Sequence, residues 1–162
     1  GFLFWNESLT VLNVIGILMV VPTIIVYACI CPAVYAFLNP AAWNAGSVAG
    51  FVLSVLAVTI QCIADIQMHR FRRARTGNFI RCGLWKYSRH PNYLGEILMW
   101  WGIALAVVSA FPSKWYLCAG ALANTLLFLV VSIPMADKRQ SEKEGFGEYK
   151  EHTRMLLPIK KG

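Results

Sequence analysis

Residues 9–38 contain no Asp, Glu, Lys or Arg, and no other feature limits the possible folds of this chain as strongly. About 20 apolar residues in a helix cross a bilayer core, so the run spans a membrane with length left for tilt. A secretory leader has a shorter apolar region, roughly 7 to 15 residues, behind a basic segment, whereas Glu7 is the only charge upstream here. Hydrophobic residues make up 57% of the whole chain, well beyond what a soluble core of this length needs. Pro22 and Pro32 are expected to kink or end this first helix. Because the sequence opens on Gly1 and not Met, it is read as a processed form or a fragment lacking earlier helices.

A net charge of +7 points to nucleic acid only until the charges are placed. Of the 15 Lys and Arg, seven fall between Arg70 and Arg89, seven between Lys138 and Lys161, and Lys114 stands alone. Two basic blocks separated by apolar segments are the pattern of cytoplasmic loops under the positive-inside rule. No nucleic-acid motif accompanies them, so the bilayer and not a nucleic acid is the expected partner. Cys29, Cys31, Cys62, Cys82 and Cys118 lack metal-ligand spacing and are read as small apolar fillers, with neither disulfide nor metal implied.

Asn39, Pro40, Trp43, Asn44 and Gly46 form a turn after the first helix, with Trp43 at interfacial depth. A second helix is expected over 47–67. Gln61, Asp65, His69 and Arg72 recur at i, i+4, i+8 and i+11, a polar stripe that is either a solvated helix end or a ligand-facing edge. Asp65 favours the second, because an intramembrane carboxylate is costly without a partner. The linker from Arg70 to Arg81 either fixes topology by attraction to anionic lipid or holds cofactor phosphates. A third helix over 93–111 and a fourth over 114–133, joined at Pro112 and Ser113, form an antiparallel hairpin. Gly102 and Ser109 on one, with Gly120, Ala123 and Asn124 on the other, are small enough to permit close helix packing. Asn124 is assigned a hydrogen bond to a neighbouring helix. Pro134 ends the fourth helix, and 137–154 makes a cytoplasmic amphipathic helix broken near Gly145 and Gly147, with Phe146 and Tyr149 as apolar handles. Met155, Leu156, Leu157, Pro158 and Ile159 then turn back to the membrane or the motif. The fold class is therefore an all-α polytopic membrane bundle. It has about four transmembrane helices in one domain, 1–162, with both termini on the cytoplasmic side.

The chemistry concentrates in 83–95, Gly-Leu-Trp-Lys-Tyr-Ser-Arg-His-Pro-Asn-Tyr-Leu-Gly, followed by Glu96. Pro91 holds His90 extended and suits the first helical turn, so the third helix starts near Pro91 or Asn92. Its free N–H groups then meet the positive charge of Lys86, Arg89 and His90, a place for an anion. Asn92 and Glu96 share a face and read hydroxyls or exocyclic amines. The alternative is purely structural, with Arg89 and Glu96 satisfied by Asp65 or by the tail as a clamp. No Walker, GxGxxG, nucleophile-elbow or HExxH motif is present.

Ser88-Arg89-His90-Pro91-Asn92-Tyr93-Leu94-Gly95-Glu96, followed by Trp100-Trp101-Gly102, closely resembles the DUF1295 membrane proteins, relatives of the steroid 5-alpha-reductase C-terminal domain. Sterol reductases and isoprenylcysteine carboxyl methyltransferases are more distant relatives. The resemblance covers roughly 61–159 and includes Tyr149 and Pro158. It implies a cofactor site holding Asp65 and Arg72 from the second helix, with Gln61 where an asparagine is usual, and Asn92 and Glu96 from the third. The tail departs from the reductases: near Pro134, Lys138 and Glu142 they carry arginine, histidine and tyrosine, and only Lys138 keeps a positive charge. The methyltransferases are similar through Arg89, His90, Pro91 and Tyr93, and through Phe146-Gly147-Glu148-Tyr149.

The leading expectation is an integral membrane reductase that uses NADPH on an activated C=C bond of a lipophilic, sterol-like or isoprenoid substrate. Its expected cofactor contacts are Asp65, Arg72, Lys86, Arg89, His90, Asn92, Glu96 and Lys138. Tyr87 and Tyr93 are candidate proton donors by chemistry alone. An S-adenosylmethionine-dependent methyltransferase of the isoprenylcysteine type is the alternative, and a non-catalytic membrane scaffold is the third reading.

Overall fold

The charge-free run folds as one long helix. The structure is a computed structural model that describes residues 2–74 and 76–157, with side chains from residue 19 onward. Gly1, Arg75, Pro158, Ile159 and the side chain of Glu7 lie outside the described residues. Helix α1 (Phe2–Leu38) ends at neither proline and runs through both Pro22 and Pro32. In apolar surroundings each proline removes one N–H, whereas a chain that left the helix would unpair several backbone groups at once.

Helix α2 (Ala45–Ala74) extends seven residues past the expected end at Gln67 and carries Arg70, Arg72 and Arg73 with it. No Gly or Pro interrupts the chain there, and arginines in a last turn sit favourably against the negative end of the helix dipole. Helix α3 (Pro91–Ala110) starts on the proline, as its fixed φ predicts. The fourth crossing is composite: a 3₁₀ turn over Pro112–Cys118, α4 (Ala119–Leu127), a π turn over Phe128–Ser132 and α5 (Ile133–Ser141). Pro134 therefore does not end the helix. The wider π turn just before it takes up the missing N–H and the ring's bulk, and the helix continues for two more turns. Met19–Leu38, Ala45–Ala74, Pro91–Ala110 and Pro112–Ser141 are long and apolar enough to cross a membrane. Among the described residues no strand forms, and the fold is an all-α membrane bundle.

The tail breaks once. Helix α6 (Phe146–His152) follows Gly145, whose φ of +78° is a left-handed conformation that glycine adopts without strain, while Gly147 lies inside the helix.

The small residues Gly102, Ser109 and Gly120 do permit close packing, and their partners are α2 and α1. A Cβ on Gly102 would strike the Ser54 hydroxyl and stand 2.7 Å from the Gly50 carbonyl, and one on Gly95 would stand 2.7 Å from the Ala57 carbonyl, so α3 packs its small residues against α2 and not α4. Ser109 lies against Gly46 of α2, and Gly120 of α4 lies against Ala28 and Cys29 of α1. Backbones that approach this closely gain dispersion contact, the main source of helix association in lipid. Ser47 and Ser54 of α2 donate to the carbonyls of Ala106 (2.9 Å) and Met99 (3.1 Å) across the same seam. The α3 and α4 pair is joined by Trp101 Nε1 donating to Thr125 Oγ1 at 2.9 Å. Asn124 is buried, but its Nδ2 has no hydrogen-bond partner among the described residues, so the assigned interhelical bond is not made by this group.

Candidate functional site

The motif is fastened to α2 before it reaches the site. Gly83 adopts φ +61° with the Gln67 side chain where a Cβ would project, and Gln67 Oε1 accepts from the Leu84 N–H at 2.9 Å. A 3₁₀ turn over Gly83–Lys86 then buries Trp85, whose indole donates to the Ala64 carbonyl at 3.1 Å. The Tyr149 hydroxyl of α6 donates to the Trp85 carbonyl. The Arg89 N–H donates to Arg154 O at 2.9 Å, and the Ser88 hydroxyl donates to Met155 O at 3.4 Å. Residues 83–90 and the tail up to Met155 therefore meet at one end of the bundle, which brings the described parts of the two basic blocks together.

Asp137 of α5 stands at the centre of this junction. Its carboxylate accepts from Arg89 Nη2 at 3.1 Å and from His90 Nε2 at 2.9 Å, with the Arg89 and Asp137 side chains only 9% and 12% exposed. Arg89 Nη1 also donates to the Thr153 carbonyl at 2.6 Å. A carboxylate only accepts, so His90 carries its proton on Nε2 and presents Nδ1 as an acceptor. Burial pushes the His90 imidazole below its ordinary pKa. The bond to Asp137 pulls the other way without reversing the shift. The neutral ring stacks on Tyr93 at 5.2 Å with 4° between planes, and Tyr93 in turn packs on Phe128 of the π turn at 4.7 Å. Burial also pushes the Tyr149 phenol up to about 12, which keeps it a donor to Trp85.

Above this junction lies a cavity of about 790 Å³. Asp65, His69 and Arg72 of the α2 stripe line it, together with Arg89, His90, Asn92 and Tyr93 from the motif and Asp137, Arg139, Gln140 and Lys143 from the tail. Gln61, the fourth residue of the stripe, lies deeper, against Gly95. Three buried polar atoms on the lining residues, Arg89 Nε, Asn92 Oδ1 and Gln140 Oε1, have no partner among the described residues. One donor and two acceptors left unpaired are costly in a closed protein and are what a polar ligand satisfies. The cations on the lining exceed the carboxylates by two.

The expected site residues thus divide. Asp65, Arg72, Arg89, His90, Asn92 and Tyr93 share the cavity. Lys86, Tyr87 and Lys138 are exposed and do not line it, Lys86 lying 5.9 Å from the Tyr87 ring. Glu96 is one turn below Asn92, half-buried and outside the lining. The clamp reading is realised for Arg89, through Asp137 and not Asp65. Glu96 has no ion-pair partner among the described residues. Sequence reasoning missed Asp137, Arg139, Gln140 and Lys143. Ala136, Arg139, Gln140 and Lys143 follow i, i+3, i+4, i+7 spacing, a signal present in the expected tail helix but without a direction towards the bundle once that helix was cut from the fourth crossing at Pro134.

A family model described as a protein of unknown function (DUF1295) matches residues 4–153. No curated protein and no solved structure matches the chain.

Proposed function

The chain belongs to the DUF1295 family, and from that premise we propose that it is an integral membrane reductase that binds NADPH in the cavity between α2, the motif and the tail and acts on a lipophilic substrate. The observation that carries this reading is the surplus of positive charge around a cavity of about 790 Å³. That volume is in the upper part of the range of small-molecule sites. NADPH is a polyanion that gains from such a lining. S-adenosylmethionine carries a net positive charge and is repelled by it, which disfavours the methyltransferase alternative.

Arg72, Arg139 and Lys143 hold phosphate, arginine through its planar fork and lysine as a point charge. Asn92 and Gln140 offer their free carbonyl oxygens to amine or hydroxyl hydrogens. The chemistry NADPH supplies when bound is a hydride for one carbon of an activated C=C bond, the other carbon taking a proton. Tyr93 is the phenol we assign to hold that proton, since Tyr149 is committed to the Trp85 carbonyl and Tyr87 lies outside the cavity. By the positive-inside rule we place this end of the bundle in the cytoplasm.

Thermal unfolding of the purified protein, titrated separately with NADPH and S-adenosylmethionine, tests the assignment. Saturation at 100 times Kd stabilises a folded protein by about 2.7 kcal/mol, so NADPH is expected to raise the midpoint by several degrees. Stabilisation by the methyl donor alone rejects the reductase reading, and stabilisation by neither favours a scaffold.

A further inference from the structure

A second cavity of about 990 Å³ occupies the other half of the bundle, between the last turns of α1, the first half of α2 and the last turns of α3. Phe37, Trp43, Phe51 and Phe111 are among its walls. The hydroxyls of Ser47 and Ser54 at its edge are already committed to α3 carbonyls. It therefore asks for hydrocarbon and offers almost nothing to a polar group.

Its position relative to the cofactor cavity identifies the occupant. On α3, Asn92 lines the polar cavity, Met99 and Ile103 line the apolar one, and Glu96 stands between them, spaced i, i+4, i+7 and i+11 on one face. On α2, Phe51, Val55 and Val58 of the apolar cavity share a face with Asp65 of the polar one, at i, i+4, i+7 and i+14. Glu96 lies within electrostatic reach of Asp65 and of Cys29 on α1, and Cys29 is one turn from Ala33, which lines the apolar cavity. Helices α2 and α3 thus line both spaces, and α1 joins them along the apolar one. From Glu96 to Phe111 the helix rises about 22 Å, most of the roughly 30 Å hydrocarbon core.

We propose that the apolar cavity holds the body of an elongated membrane lipid with a single polar or conjugated end, which lies at the Glu96 level while the tail points to Trp43. The orientation rests on the reductase reading, since it presents the reactive end to the cofactor. Occupancy of the cavity does not. A phospholipid is disfavoured in this orientation, because its phosphate would sit beside the Glu96 carboxylate within the apolar helix Pro91–Ala110.

The test uses the protein in nanodiscs with a linear C20 isoprenoid alcohol bearing a diazirine at its tail end. Irradiation is expected to label peptides containing Phe51 and Phe111, and unlabelled alcohol to compete. Val55 is exposed within the groove, so Val55→Trp is expected to cut labelling at least tenfold and leave thermal stabilisation by NADPH unchanged. Ala33→Phe from the facing wall serves as the second variant and is expected to do the same. Labelling of Leu122 and Leu126 on the exposed face of α4 as strong as that in the groove would mean ordinary annular lipid and overturn the proposal. Unchanged labelling in both variants would overturn it too, as would efficient disulfide dimerisation of Val55→Cys, which would put a second copy on this face. If NADPH fails to stabilise the wild type, the reductase reading falls while the labelling result stands.

Discussion

Replacing Asp137 with alanine removes the one carboxylate that Arg89 and His90 share. The Arg89 and Asp137 side chains are 9% and 12% exposed, so the guanidinium left behind is a buried charge with water largely excluded. Breaking such a pair from one side costs about 3 to 5 kcal/mol. Arg89 keeps the Thr153 carbonyl at 2.6 Å, which places the expected loss at the lower end, about 3 kcal/mol. For a chain of this length 1 kcal/mol corresponds to about 2 to 4 °C in the midpoint, so Asp137→Ala is expected to melt about 6 to 12 °C below wild type. Asp137→Asn keeps an acceptor for His90 and loses only the charge, and falls between the two. In a double-mutant cycle with Arg89→Ala, the pair is expected to be coupled by at least about 1 kcal/mol. An Asp137→Ala protein that melts within 2 °C of wild type, or a cycle that closes additively, would refute the assignment of Asp137 as the fastening between motif and tail.

His90 titrates below its ordinary value of about 6.5, so between that pH and its lower folded value the unfolded chain holds the proton and the folded chain does not. Stability is expected to fall as pH drops through this window and to level off beneath it. Melting curves of His90→Gln should lack that step. Gly102→Val meets Ser54 and the Gly50 backbone in the α2 seam and is expected to destabilise by about 1 to 3 kcal/mol, measured as a lowered midpoint. Removing Arg139 or Lys143 deletes one charged contact worth about 1.5 to 3 kcal/mol, so either alanine variant should weaken NADPH about tenfold or more. The loss should shrink as salt is raised, measured by isothermal titration.

The membrane architecture was legible because it rests on bulk properties: thirty uncharged residues, two basic blocks and a proline opening α3 leave few alternatives. Arg89, His90, Asn92 and Tyr93 were readable as a group because charge and amide at the head of an apolar helix stand out, whereas Asp65 stood out as a carboxylate in apolar sequence and Arg72 came with it through the polar stripe and the family resemblance. What failed was local. Proline at 134 is a helix breaker by propensity, but the bilayer penalises broken backbone, and the π turn supplied a third option that no single-residue preference encodes. Losing the register there hid the inward face of α5. The small residues of α3 were visible as small, but their partner was not, because a glycine fits equally well against any backbone that comes close.

The π turn over Phe128–Ser132 packs one more residue into its turn than an α-helix would. In a regular helix each residue added or removed rotates everything beyond it by about 100°. The face that α5 turns to the cavity is therefore governed by the length of the segment ahead of it as much as by the residues on it. Taking out a single residue between Phe128 and Ser132 would return the segment to α-geometry without shifting the chain beyond it. The same deletion within Ala119–Leu127 would swing Asp137 and Gln140 away from Arg89 and His90. Among chains built on this plan, one residue more or less in the α-helical part of the fourth crossing rewrites the wall of the site with every wall residue unchanged, while the π turn absorbs the same change.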